Sequence, residues 1–324
     1  MCVCTIIVHH AFVVPMGAHL GGYLARFALP GTTPTYTLAG DSIRLVAGGN
    51  VVPVTWLDPA KGTEAVHGHE GARSIPLVHI AKPRADDRDK TGALVYAHGN
   101  AEDLGQVLAW AGRLAETYGR DVFVFDYEGY GLNHTRATEA TIYANIASVV
   151  TYLHRVRGHR KLVLWGRSIG TAPAIYEAAT ATPGIVAAAV LQSPFRSVVT
   201  TYLPPRLVPR GCDILLNERV LATCTVPVFI VHGTEDAVVP FEHGVALARQ
   251  PCVWGHCWLR GAGHNDIEMT PEYCDEMVRA VGHFLASVVP TASDTQLTQQ
   301  WNWRAERRSL ITGHLPSSGA VRRR

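Results

Sequence analysis

The chain lacks most of what a metal, a membrane span or a nucleic acid would need. Its seven cysteines include no C-x-x-C pair. Their spacings match no zinc module, so neither a metal nor a cofactor is expected. The odd count leaves no closed disulfide framework, and the thiols read as reduced, in a cytosolic setting. Charged residues make up 17% of the 324, with a net charge of +2. A chain so nearly balanced is not a polyanion binder as a whole, and no nucleic acid is expected as a partner. No stretch further in has the clean apolar run of about 20 residues that a spanning helix needs.

The first charged side chain is Arg26. Residues 1–25 are broken by His9, His10, Pro15, His19 and three glycines. A signal peptide wants a basic leading region, and here only the α-amine could supply it. This stretch is expected to be interfacial or buried. Charge is also absent in balance at the other end. Residues 290–324 hold six arginines against Asp294 and Glu306, a local +4 that leaves −2 for the remainder. From Val289 on the chain turns polar, with Trp301 and Trp303 beside Arg304, Arg307 and Arg308, and is expected to be a disordered tail.

What is present is a core. The chain is 47% hydrophobic, enough for one large domain. Residues 34–80 read as short strands. From "ALVYAHGN" onward, apolar strands alternate with amphipathic helices: "EDLGQVLAWAGRLAETYG", "DVFVFDYEGYG", "EATIYANIASVVTYLHRVRG", "KLVLWG", "IVAAAVLQSPF", "VPVFIVHGTED" and "CVWGHCWLRGAGH", with helices expected at about 241–250 and 267–288. Such βαβ alternation predicts a mostly parallel central sheet with helices on both faces.

The strand "KLVLWG" runs into Gly166-Arg167-Ser168-Ile169-Gly170, then a helix. A G-x-S-x-G turn between strand and helix holds a serine strained and exposed at the carboxyl edge of the sheet. A serine nucleophile needs a histidine base, and the base needs an acid. Asp236 closes "VPVFIVHGTED" and His264 follows the last strand in "GAGHND", in the order Ser, acid, His that this fold uses. Glu235 rivals Asp236 by position; alternation would point one of the two outward. His232 reads as a hydrogen-bonded core histidine. The oxyanion hole needs two backbone N–H groups. Ile169 supplies one. The loop after "ALVYAHGN" supplies the other, from Asn100 or from its neighbour Ala101, with His98 locking that loop. Asn133-His134-Thr135 fits a glycosylation sequon, which matters only in a secreted chain.

The segments "YAHGNAEDLGQ", "FDYEGYG", "GRSIGTAP", "LQSPF", "VHGTEDAVVPFEHGVAL" and "GAGHNDIE" together resemble the α/β-hydrolase-domain-containing 17 group of serine hydrolases, over about Thr33 to Leu285. The resemblance implies an α/β-hydrolase fold; the thirty residues from Arg196 to Thr225, between "LQSPF" and "VPVFIV", predict a short cap. The resemblance also implies a membrane-attached protein depalmitoylase, with the triad on Ser168, Asp236 and His264. Departures are the N-terminus, where Cys2 and Cys4 stand for a cysteine-rich segment, the stretch from Arg196 to Thr225, and the Arg-rich tail. Three regions follow: a membrane-associating segment (1–32), the hydrolase domain (33–288) and the tail (289–324). The expected substrates are S-acylated membrane proteins, cleaved by a monomer. Acylated Cys2 and Cys4 are expected to hold it on the cytoplasmic face of the plasma or an endosomal membrane. A lipase or lysophospholipase acting on glycerol esters is the alternative chemistry, and a non-catalytic acyl-binding scaffold the alternative class.

Overall fold

The computed structural model of the protein describes residues 28–46, 49–59, 65–66, 74–82, 90–203, 208 and 213–291. Cys2, Cys4, Trp301 and Trp303 lie outside the described residues.

Tyr36–Ala39 (β1), Ser42–Leu45 (β2) and Val51–Pro53 (β3) form a small antiparallel sheet. The main sheet follows in chain order with Thr55–Leu57 (β4), Ala65–Val66 (β5), Ile75–Ile80 (β6), Leu94–Ala97 (β7), Val122–Phe125 (β8), Leu162–Arg167 (β9), Val186–Gln192 (β10), Val228–Gly233 (β11) and Val253–Leu259 (β12). Its spatial order is β12-β11-β10-β9-β7-β8-β6-β4-β5. The pairs from β12 to β8 are parallel, and β6 and β4 add on antiparallel. Every residue of β7, β8, β9 and β11 is buried. That is the pattern of strands covered on both faces, where apolar runs replace alternation.

The α-helices that lie wholly within the described residues are Leu104–Tyr118 (α1), Glu139–Arg155 (α2), Thr171–Thr180 (α3), Val198–Tyr202 (α4), Asn217–Leu221 (α5), Phe241–Leu247 (α6) and Pro271–Val288 (α7), with a 3-10 turn at Ser168–Gly170 leading into α3. One core layer joins Val107 of α1 and Phe284 of α7 to Trp165 of the sheet. The other joins Ile146 of α2 and Ile175 of α3 to Phe125 and Leu164. α1 starts where Asp103 and Gln106 form a capping box, and ends at Gly119 in the left-handed conformation, φ 60°. α7 begins at Pro271, later than the expected 267, because a proline suits the first turn of a helix. The cap is short: between β10 and β11 the described helices are α4 and α5.

The hydrolase body reaches past both expected boundaries. Leu29 packs in the core, in the stretch assigned to the N-terminal segment, and Val289 is fully buried at the start of the expected tail. The sequon has a structural use. Asn133 is buried and donates its side-chain amide to the Ser74 carbonyl.

From β7 the chain crosses through α1 to β8 on one side, then returns through α2 to β9 on the other. The order of strands reverses there. A crevice opens at the carboxyl ends of β7 and β9, the position where open parallel sheets build their sites.

Candidate active site

Ser168 follows β9 directly and adopts φ +52°, the left-handed region that a serine normally avoids. The turn is held by close approaches. A Cβ on Gly166 would lie 2.4 Å from the Gly170 carbonyl oxygen, and one on Gly170 would lie 2.1 Å from that of Ala97. A side chain at Gly170 would push the nucleophile turn away from β7, and one at Gly166 would push the start of α3 away from β9. The two glycines of the motif are therefore steric requirements.

His264 bridges the other two groups. Its Nε2 accepts from the Ser168 hydroxyl at 3.0 Å, and its Nδ1–H donates to the Asp236 carboxylate at 2.7 Å. That second bond fixes the tautomer that leaves Nε2 free as a base. β11 is shorter than the sequence suggested. It ends at Gly233, so Asp236 sits in the turn beyond it and its direction is set by that turn rather than by strand alternation. Val238 and Val239 donate backbone N–H groups to the Asp236 carboxylate at 2.9 and 2.8 Å. Burial works against its charge, but hydrogen bonds from His232, His264 and Val239 hold it well below the usual carboxylate range. Glu235 points to solvent. His232 is the buried, hydrogen-bonded histidine expected, donating to the Val239 carbonyl at 2.9 Å. It does one thing more than the sequence suggested, standing 3.4 Å from Asp236.

Asn100 and Ile169 line the same cavity as Ser168, with Phe195, Val198, Tyr202 and Val239. The Asn100 loop is held by the segment "FDYEGYG". The Tyr127 hydroxyl donates to the His98 carbonyl at 3.0 Å and the Tyr130 hydroxyl to the Asn100 side chain at 2.6 Å. Asp126 accepts from the Tyr36 hydroxyl and from the Leu104 N–H. It also lies 3.4 Å from the fully buried His98. Burial opposes charge on His98, but Asp126 outweighs it and raises the imidazole above its ordinary value. His98 thus anchors the loop, as expected.

Sequence reasoning missed Arg167, the residue before the serine. Its guanidinium meets Glu102 at 3.0 Å and Glu268 at 2.9 Å, and donates to the Asn265 side chain at 3.0 Å. Glu102 accepts the Gly99 N–H at 2.6 Å, and Glu268 accepts from Gln192 at 2.7 Å. One cation therefore ties together the Asn100 loop, the serine turn and the His264 loop. Burial disfavours the guanidinium's charge, yet Glu102 and Glu268 raise its pKa above the ordinary value. Charge alone could have flagged Arg167, since an arginine is unusual in so apolar a strand, but its partners lie far apart in the chain.

With a hydroxyl, a base and a fixed acid in one relay, the arrangement can carry out acyl transfer through serine. Among the described residues no cluster of side chains could hold a metal ion.

Comparison with known proteins agrees with this geometry. Residues 92–210 match the model of the alpha/beta hydrolase fold family. Alpha/beta hydrolase domain-containing protein 17B of Homo sapiens is 34% identical over 200 residues, 60% of this chain and 68% of that protein. This chain belongs to the alpha/beta hydrolase domain-containing 17 family. Alpha/beta hydrolase domain-containing protein aho-3 of Caenorhabditis elegans is 29% identical over 85% of this chain and 82% of its own length. Protein 17C of Xenopus laevis is 34% identical over 59% of this chain, which spans 62% of that relative's length. Among solved structures, an esterase of Thermogutta terrifontis superposes with a TM-score of 0.54 at 18% identity, over 71% of this chain and 96% of that one. At that identity the likeness speaks for the fold. Family membership makes the chain a hydrolase; what it hydrolyses is a separate question.

Proposed function

We propose that this hydrolase cleaves S-acyl thioesters, releasing long-chain acyl groups from cysteines of membrane-associated proteins. The observation that carries the reading is the Ser168–His264–Asp236 relay opening onto an apolar cavity under a short cap. Ser168 attacks the acyl carbonyl while His264 takes its proton, and the N–H groups of Asn100 and Ile169 stabilise the oxyanion. The acyl-enzyme is then hydrolysed by water that His264 activates. The small cap leaves the site open to an acyl chain borne on a protein. The protein is further proposed to be held at the cytoplasmic face of a membrane by acylated Cys2 and Cys4, because two acyl chains anchor stably where one does not.

The test is turnover by purified protein of an S-palmitoyl peptide against a monoacylglycerol, alongside labelling by a fluorophosphonate probe. Preferred hydrolysis of the thioester is the expected result. Preference for the glycerol ester would make the protein a lipase. Absence of labelling would make it a scaffold. A Cys2→Ser, Cys4→Ser double variant should lose membrane association in fractionation; full retention would remove acylation as the anchor.

A further inference from the structure

Among the described residues two cavities meet at Ser168, and they differ in chemistry. The first, about 110 Å³, is walled by Ile169, Phe195, Val198, Tyr202 and Val239. The second is a groove of about 530 Å³ walled by Glu102, Trp110, Arg167, Glu268 and Met269. His264 lines the groove and not the apolar cavity.

The position of His264 decides which part of a substrate goes where. In acylation the Ser168 oxygen bonds to the acyl carbon and its proton passes to His264 Nε2. The tetrahedral intermediate collapses as the C–S bond breaks, and Nε2 returns the proton to the departing sulfur, giving a free thiol. The thiol must leave past the nitrogen that protonates it. It therefore departs into the groove, and the carbonyl end of the acyl chain enters the apolar cavity.

The groove carries net charge. Among its walls are two carboxylates, Glu102 and Glu268, against one guanidinium, Arg167, which leaves −1 when His264 is neutral. The carboxylates cannot swing away. Glu102 is pinned by the Gly99 N–H and Arg167, and Glu268 by Gln192 and Arg167. Their field is fixed before substrate arrives, and a groove with partly buried walls concentrates it.

We propose that this groove is the subsite for the departing peptide, and that it favours S-acylated cysteines flanked by lysine or arginine over those flanked by aspartate or glutamate. The inference rests on the thioesterase reading. Met269, 80% exposed on the groove's wall, is placed to tune it.

The experiment compares kcat/KM for two S-palmitoyl peptides that differ only in carrying two lysines or two glutamates beside the cysteine. The full chain is used, with a short-chain 4-nitrophenyl ester as a separate report of Ser168 chemistry. The lysine peptide should be favoured roughly three- to tenfold, the scale of one unit charge acting across a solvated groove. That preference should shrink in about 0.5 M salt, where screening shortens the range of the interaction. Met269→Lys should compress the ratio of the two peptides and Met269→Glu should widen it. Equal handling of the peptides while the thioesters are cleaved overturns the subsite alone, as does a ratio that ignores both Met269 variants. Ester cleavage with neither peptide turned over overturns the thioesterase reading, and the subsite with it.

Discussion

At the carboxyl rim of the sheet, Arg167 is 10% exposed at its side chain and sits between Glu102 and Glu268. At the amino rim of the same strands, Arg160 and Lys161 stand exposed beside a separate cavity of about 520 Å³, with His154 and Thr91. Neither makes an ion pair among the described residues. Lys161 shares one feature with Ser168, a positive φ of 54°, yet no acid–base relay surrounds it. Backbone strain therefore marks both rims. What distinguishes the carboxyl rim is charge that is buried, paired and linked across three loops. Burying a charge costs several kcal/mol unless partners offset it. The hydrolase pairs its buried cation with carboxylates where loops must be held in register; at the amino rim the buried Arg120 donates to the Gly92 and Val289 carbonyls, and Arg160 and Lys161 stay in water.

The contrast is sharpest at the nucleophile. Ser168→Ala should abolish turnover and probe labelling, a loss on the order of 10⁶-fold. Thermal unfolding should be nearly unchanged, since no buried charge is touched. Residual turnover within tenfold of the parent would exclude Ser168 as the nucleophile.

Asp236→Asn comes next, with a loss of roughly four decades in kcat as His264 loses its orientation. Glu235→Gln should leave activity within a few-fold, and the reverse pattern would transfer the acid's role to Glu235. Stability adds a second signature. The Asp236 pKa is lowered on folding, so its contribution is present above the unfolded value, about 3.9, and is lost as pH falls below that. The parent should therefore lose more stability than Asp236→Asn when denaturation midpoints are followed from pH 6 to pH 3.

Arg167→Met separates loop docking from chemistry. Removing one partner of a buried ion network costs about 3 kcal/mol, a fall in Tm of roughly 6–12 °C for a domain of this size. Small displacements of His264 and the Asn100 loop should lower kcat on the order of 10²-fold, while probe labelling slows but persists. Unchanged kcat would make the network structural only.

The smallest effect belongs to the amino rim. Alanine at both Arg160 and Lys161 should shift stability by less than about 0.5 kcal/mol per site and leave ester turnover as it was. A loss of activity there would show that the two rims communicate.

Much of this was legible in the residues. The alternation of apolar strands and helices, the G-x-S-x-G turn and the order Ser168, Asp236, His264 all rest on local pattern or on spacing along the chain. Asp236 meets His264 for a reason the sequence did not state. Strand alternation predicted that Asp236 and Glu235 would diverge, but both stand past the end of β11, and the turn turns Asp236 inward through the Val238 and Val239 N–H groups. Likewise "FDYEGYG" was recognisable as a segment, but nothing local says that Tyr127 and Tyr130 brace the Asn100 loop.

By itself the sequence determined the fold class and the three candidate catalytic side chains, because hydrophobic periodicity and a strained glycine-flanked turn are properties of short stretches. Only the tertiary structure decided how those groups are held and which way a substrate lies. Glu102, Arg167 and Glu268 become partners when β7, β9 and the loop after β12 converge on one crevice. Pairing between charges depends on distance in space, and the chain separates these three by 65 and 101 positions. The physical reason is that no local propensity encodes a contact whose partners meet only after the sheet has formed.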